Sequence, residues 1–600
     1  MLVINCVSEI HTGFLEGHLK VTKERHNMGL EEESYLIVDI DSRTTKAILV
    51  ERTAGGYRLG GVSETMTTME APVLDVSVGV KTALAELEGS TGKKILDGDK
   101  PSAAHRFMAS SSTGGGLHMV VGGVISLISG ESAQRAALGA GALLMDQFSK
   151  DDRRPYFEKI ARLRSLKPDI MLMAGGTDGG AVAQVLEMAE LVNTADVKPR
   201  FGEEYQLPFI YAGNVEIRDQ VKQVLGEEHY ATRMVENVRP VISKENLGPA
   251  REGIYDAYME HVIVHSPGYD ELIRWTEEPL LPTQAAVGKL LYAYAEARAV
   301  NLIGVDVGGE TTDVYSVFNG IFNRSLNADI GITYGVMNIV KETGLGNVMR
   351  WLPPEMDERD VRNMVGNMML HEHETLSPEQ MIVQAAVARE AVRLGLEKHK
   401  DIASRLKGSL VGRTISDMFD QALEKTIINL FKTHVVVGKG KVFRDQSALE
   451  SAMILVDSLE PMGVTEIMVD RSSIMPHLGN LLGVNHDAAL QILVEESLSS
   501  LATCVAPMGK AREGEEAVTV QMTVDGSEMV ESVKVGDIRL VPLGVDDVAE
   551  AMLTPHRRLD LGAGRGKQVK KQIQGGEAGL LLDARRRPLN RFRKTPEAPT

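Results

Sequence analysis

Only two cysteines, Cys6 and Cys504, occur in 600 residues. That scarcity excludes a disulfide framework and a multi-cysteine metal centre, and it makes a reducing, cytoplasmic setting the simplest expectation. No apolar run approaches the roughly 20 residues needed to cross a bilayer; the longest is the Gly-interrupted LHMVVGGVISLI at 117–128. Positive charge is also short, with 65 Lys and Arg against 83 Asp and Glu, and the net charge of −18 opposes binding to a polyanion. Neither nucleic acid nor a membrane is an expected partner. Aromatic residues make up 4% of the chain, but aliphatics, Met and Ala bring the hydrophobic share to 43%, as in ordinary globular proteins. No G-x-x-x-x-G-K-[ST] occurs, which excludes a P-loop enzyme, and the glycines of AGGTDGG at 174–180 do not fit the dinucleotide fingerprint G-x-G-x-x-G. The N-terminus lacks a signal-peptide pattern. Met28 lies seven residues before the first strand, so residues 1–27 are expected to be a dispensable extension or a mis-assigned start, which mass spectrometry of the native protein would check.

What is present is a unit that occurs twice. LIGVDVGGETTDVYSV at 302–317 reads as a strand, a Gly-Gly turn and a return strand, and YLIVDIDSRTTKAILV at 35–50 has the same layout. Asp39 lies over Asp306, Asp41 over Gly308, Ser42 over Gly309, Thr44 and Thr45 over Thr311 and Thr312, and Lys46 over Asp313. Holding a nucleotide triphosphate between two lobes requires backbone and hydroxyl donors around the phosphates, together with carboxylates for Mg²⁺ and for an attacking water. The second unit offers Gly308, Gly309, Thr311 and Thr312 with the acids Asp306 and Asp313, and the first offers Ser42, Thr44, Thr45 and Lys46 with Asp39. Ordinary hairpins with polar turns would explain either unit alone; repetition favours the ligand reading.

The length calls for several hydrophobic cores. We expect an N-terminal extension over 1–34, a first lobe over 35–295, a second over 296–510 and a β-rich segment with a basic tail over 511–600. Helices are predicted from Val76 to a stop at Gly89, from Ala181 to Leu191, over 284–300 as a hinge between lobes, and from the Ser377-Pro378-Glu379-Gln380 capping box to about Leu396. ASSSTGGG at 109–116 reads as a loop, either approaching a ligand with its backbone or a plain turn. Strand-then-Gly-turn patterns at 170–180 and 208–214 suggest a parallel or mixed α/β layer, and alternation over 518–543 around Asp525-Gly526 a hairpin. His371 and His373 of HEHE read as a solvated turn, and the basic run from Arg557 to Thr595 as a water-facing surface. The strand 434–437 ends in Gly438-Lys439-Gly440-Lys441, placed to meet a ligand between lobes.

The doubled D-x-x-x-x-T-T unit resembles the phosphate hairpins of the sugar kinase, actin and heat-shock ATPase superfamily, which implies a two-lobed, duplicated ribonuclease-H-like α/β fold. In that likeness Asp39, Asp306, Thr311 and Asp313 are catalytic, Asp39 and Asp306 hold the metal, and Gly438 and Gly440 form the adenosine turn. The further segments ASSSTGGGL, PDIMLMAGGTDGG, FIYAGN, LPTQAAV, VDVGGETTDVYSV, RLDLGAGRG and DARRRPL, between about Tyr35 and Pro588, resemble the glutamate-mutase-associated MutL family, which is unrelated to the mismatch-repair protein of that name. The resemblance implies an accessory ATPase, chaperone-like or reactivating, that uses ATP and Mg²⁺ and serves the subunits of an adenosylcobalamin-dependent mutase such as glutamate mutase or an aminomutase. The chain shows no D-x-H-x-x-G cobalamin-binding pattern, so no mutase chemistry of its own is expected. Two residues depart from the family pattern. Asp41 stands where the first turn has Gly, bringing a like charge toward phosphate, and GKGK replaces GTGG at the adenosine turn. A non-hydrolysing scaffold of the same fold and a small-molecule kinase are the alternative readings. Oligomeric state, a homo-oligomer included, stays open.

Overall fold

The computed structural model describes residues 34–112, 117–263, 267–370, 376–404, 406, 426–524 and 526–589. Expectations for residues 1–33, for HEHE, for Thr113 to Gly116, for Asp525 and for the basic residues Arg591, Arg593 and Lys594 lie outside the described residues.

The strand Ser34–Ile40 is apolar at almost every position and buried on both faces, which makes it the centre of its sheet. It pairs antiparallel with Thr44–Thr53, which pairs in turn with Gly56–Met66. Its other edge runs parallel to His105–Ser111, and Leu281–Pro282 follows. Numbered along the chain, these five strands lie in the order 3-2-1-4-5. The same order recurs with Leu302–Val307, Thr312–Phe318, Ile321–Asn327, Val435–Lys439 and Gly463–Asp470. An antiparallel meander joined to parallel strands, built twice, is the two-lobed actin-like α/β fold.

A second layer is inserted between the fourth and fifth strands of the first sheet. Its five strands, His118–Gly123, Leu143–Ser149, Ile170–Met173, Leu207–Tyr211 and Tyr230–Met234, are all parallel and lie in the order 2-1-3-4-5, a doubly wound arrangement. Downstream, Leu498–Ala506, Gly579–Asp583 and Ile538–Val541 extend the second lobe's sheet to eight strands, while 516–574 supplies a separate four-stranded antiparallel sheet. The hairpin read over 518–543 therefore ends at Lys534, and Ile538–Val541 leaves for the larger sheet.

Three local differences have physical reasons. The helix Val76–Thr91 runs through Gly89, which has open space around it, and stops at Gly92, whose φ of 67° favours glycine. Ala109, Ser110 and Ser111 are not a loop but the buried end of a strand, because their small side chains fit beneath Tyr269 and the neighbouring helices. The basic run is not all water-facing: Arg585 bridges Asp457 at 2.8 Å and Asp583 at 2.9 Å, and Arg587 bridges Asp583 at 2.8 Å. Burial opposes ionisation of Asp583, yet the two guanidiniums hold its carboxyl well below the usual range. The other basic residues from Arg557 to Lys571 are mostly exposed.

The helix Pro378–Ile402 carries both bonds of its capping box, Ser377 with Gln380, and continues past Leu396, where His399 is buried between the hydroxyls of Ser325 and Ser316, both at 2.8 Å. The helix Thr283–Ala297 packs against Met475–Leu481 so closely that a Cβ at Gly479 would come within 2.1 Å of the Ala286 carbonyl. Among the described residues no helix is long and apolar enough to cross a membrane.

Candidate functional site

Strand register fixes the site. In the first hairpin Asp39 pairs with Lys46, and in the second Asp306 pairs with Asp313. Both turns close with one bond of equal length, Asp41 N–H to Thr44 O and Gly308 N–H to Thr311 O, each 2.9 Å. The parallel fourth strand then supplies each acid with a second neighbour, Ser110 beside Asp39 and Lys439 beside Asp306.

Asp39 is 9% exposed, and its Oδ1 accepts from Ser110 Oγ at 2.6 Å and from Thr283 Oγ1 at 2.8 Å. Burial pushes its carboxyl up to about 6, with Asp41 adding to the rise and the two hydroxyls opposing it. Asp306 is paired through Oδ2 with Lys439 Nζ at 2.7 Å. Behind it, Asp313 is buried against Arg324, whose Nη2 lies 2.6 Å from Oδ1. Burial drives the Asp313 carboxyl up to about 6 against the pull of Arg324. Arg324 also donates to Leu138 O and Ala142 O, tying the second hairpin to the inserted layer.

Of the residues predicted for the site, Ser42 is exposed, and Thr44, Thr311, Gly308 and Gly309 stand half-exposed around the two turns. Thr45 and Thr312 do not join them. Each is wholly buried, Thr45 bonded to Thr67 at 2.9 Å and Thr312 donating to Ile330 O at 2.6 Å, because their strand positions point into the layer beneath. Lys46 is drawn to Glu64 at 3.0 Å. Asp41 keeps its carboxylate exposed and accepts from Ser112 Oγ at 2.5 Å. Gly438 lies within the strand Val435–Lys439 and not in a turn. Gly440 has φ 126°, and a Cβ there would meet Val307 O at 2.3 Å, so only glycine lets the chain close against the second hairpin. Across the mouth, the Arg43 guanidinium stacks 4.4 Å from the Tyr334 ring centroid, and the Gly309 carbonyl accepts from Thr333 and Tyr334 N–H at 3.0 Å.

Five residues that sequence reasoning did not assign complete the arrangement: Ser110, Thr283, Arg324, Lys439 and Asp470. Ser110 and Thr283 sit in segments noted for resemblance, Ser110 near the end of one parallel strand and Thr283 directly after the next. Asp470 ends the fifth strand of the second sheet and accepts from Ser473 N–H and Ser497 Oγ, both at 2.8 Å.

A directly held Mg²⁺ does not fit these side chains. Asp306 Oδ2 already has an ammonium, Asp39 Oδ1 has two hydroxyls, and among the described residues no group of three His, Cys, Asp or Glu side chains could hold a metal ion.

A family model described as "MutL protein" matches residues 35–497. A "Protein MutL" from Clostridium tetanomorphum is 29% identical over 391 residues, spanning 61% of this chain and 79% of that one. Among solved structures, nucleotide-free acetone carboxylase is 10% identical with a TM-score of 0.32, covering 84% of this chain and 81% of that one. Component A of (R)-2-hydroxyglutaryl-CoA dehydratase from Acidaminococcus fermentans is 9% identical with a TM-score of 0.25, covering 76% of this chain and 99% of that one. A nucleotide-free diol dehydratase-reactivating factor is 11% identical with a TM-score of 0.28, covering 75% and 99%. These superpositions are loose, and strand order is the firmer description of the fold.

Proposed function

The chain belongs to the MutL protein family, and from that premise we propose that it is an ATP-binding accessory protein of an adenosylcobalamin-dependent mutase, acting as a chaperone or reactivating factor. The observation that carries the reading is the doubled hairpin: two acids at equal register, each followed by a turn closed in the same way, on two sheets of the same strand order. In this reading Gly308, Gly309, Thr311, Ser42 and Thr44 surround the phosphates, Asp306 and Asp39 flank them, and Gly440 sets the approach of the adenosine side. Asp313 acts from behind by fixing the second hairpin through Arg324.

Hydrolysis would then be coupled to remodelling of a partner, in keeping with a sequence that carries no D-x-H-x-x-G cobalamin-binding pattern. Phosphate release without any added acceptor tests the ATPase reading against a kinase, and Asp306→Ala is expected to abolish it. Unchanged turnover in that variant would remove the assignment. Co-purification with the cobalamin-binding subunit of a mutase tests the partner.

A second reading, a non-hydrolysing scaffold of the same fold, is favoured by one observation. Asp41 brings a carboxylate to the first turn where the family pattern has Gly. An Asp41→Gly variant that gains turnover would mark a damped site, and one that gains none would favour the scaffold.

A further inference from the structure

Each of the two acids has two neighbours set by register, one across its hairpin and one on the parallel strand. For Asp39 they are Lys46 and Ser110, and for Asp306 they are Asp313 and Lys439. Each lobe thus places one lysine beside its acid, but the two are used differently. Lys46 leans away, to Glu64 at 3.0 Å and to Ser472 O at 3.4 Å. Lys439 turns inward, and its ammonium lies 2.7 Å from Asp306 Oδ2 with the side chain 18% exposed.

Asp306 stands opposite Asp313 in the hairpin, and Lys439, bonded to Asp306, also feels the charges of Asp470 and Asp39. Arg324 is bridged to Asp313, and Lys439 is the cation bridged to Asp306 among the described residues. Burial opposes its charge, but Asp306, Asp470 and Asp39 outweigh that and keep it firmly protonated. An ammonium is a compact point charge with three donors, suited to sit among several acids. The backbone beside it runs close to the second hairpin, since at the next residue, Gly440, a Cβ would lie 2.3 Å from Val307 O.

We infer that Lys439 is the resident counter-ion of the cleft, a tethered cation that holds the place on Asp306 a divalent metal would take and keeps such a metal off that carboxylate in the nucleotide-free protein. The inference rests on reading the cleft as a nucleotide site, but it concerns the protein before nucleotide arrives. A divalent ion on Asp306 would share one carboxylate with an ammonium at hydrogen-bond distance, and like charges that close repel strongly where water is scarce.

Mn²⁺ takes the same hard oxygen ligands as Mg²⁺ and is paramagnetic, so free ion can be counted by electron paramagnetic resonance as it is titrated into the full-length, nucleotide-free protein. Lys439→Met is expected to bind one Mn²⁺ about tenfold or more tightly than wild type, and the gain is expected to vanish in Asp306→Asn/Lys439→Met. Lys439→Thr, which removes the charge with a shorter side chain, serves where the Met variant fails to fold and is expected to behave like it. Lys439→Arg, which keeps the charge, is expected to match wild type. Equal Mn²⁺ affinity in wild type, Lys439→Met and Lys439→Thr would overturn the inference, as would a gain that survives Asp306→Asn. Because nucleotide is absent, a protein that fails to bind ATP leaves this result decisive for Lys439 while removing the nucleotide reading itself.

Discussion

Replacing Asp39 with Asn is expected to stabilise the first lobe while harming the site. The carboxyl is buried at the end of the central strand, and its Oδ1 accepts from Ser110 and Thr283. An Asn oxygen can accept the same two bonds, so the substitution removes the buried charge and leaves both bonds in place, with an NH₂ group standing where Oδ2 was. Burial raises the folded-state pKa from 3.8 to about 6, which corresponds to about 3 kcal/mol of destabilisation when the group is ionised in both states. Between those values the folded chain holds a proton that the unfolded chain has released, so stability falls as pH rises from about 4 to about 6 and stays level above. The advantage of Asp39→Asn is therefore absent near pH 4, grows through pH 5 and is complete by pH 7. Thermal unfolding of wild type and variant, followed at several pH values, reads this directly. For a lobe of this size a gain of about 3 kcal/mol corresponds to roughly 6–12 °C in midpoint. A variant no more stable at pH 8, or one whose advantage does not shrink toward pH 4, would refute burial as the cause.

Other consequences are simpler to state. Arg324→Met leaves Asp313 buried and unpaired and is expected to cost about 3–5 kcal/mol in urea unfolding, with much of the loss recovered in Asp313→Asn/Arg324→Met. Gly440→Ala forces a Cβ against Val307 O at a φ of 126°, so ATP binding is expected to fall even where circular dichroism shows a folded chain. Arg585→Ala removes a partner of both Asp457 and Asp583 and is expected to destabilise the second lobe by about 3 kcal/mol or more, whereas exposed Arg565→Ala is expected to change stability by less than about 0.5 kcal/mol.

Much of the fold was legible because it is repeated. The Asp39 and Asp306 units share spacing and alternation, and the same spacing became the same register. The inserted parallel layer showed itself in strand-then-glycine segments, though its strand order comes from pairing between distant stretches that no local pattern records. Thr45 and Thr312 look like phosphate donors in one dimension, yet alternation along the strand turns them into the protein. Ser110, Thr283 and Lys439 reach the acids only because parallel strands end side by side, a relation among positions more than 70 residues apart. Arg585 and Arg587 read as solvated because nothing local shows that Asp583, beside them in sequence, is buried, or that Asp457, 128 residues from Arg585, packs against it.

The most direct test of the account is a calorimetric titration of ATP, with Mg²⁺ in the buffer, into the full-length protein. One ATP per chain is expected in wild type, with binding lost in Asp306→Ala. No heat in wild type, or an affinity that Asp306→Ala leaves unchanged, would contradict a nucleotide site built on the paired hairpins.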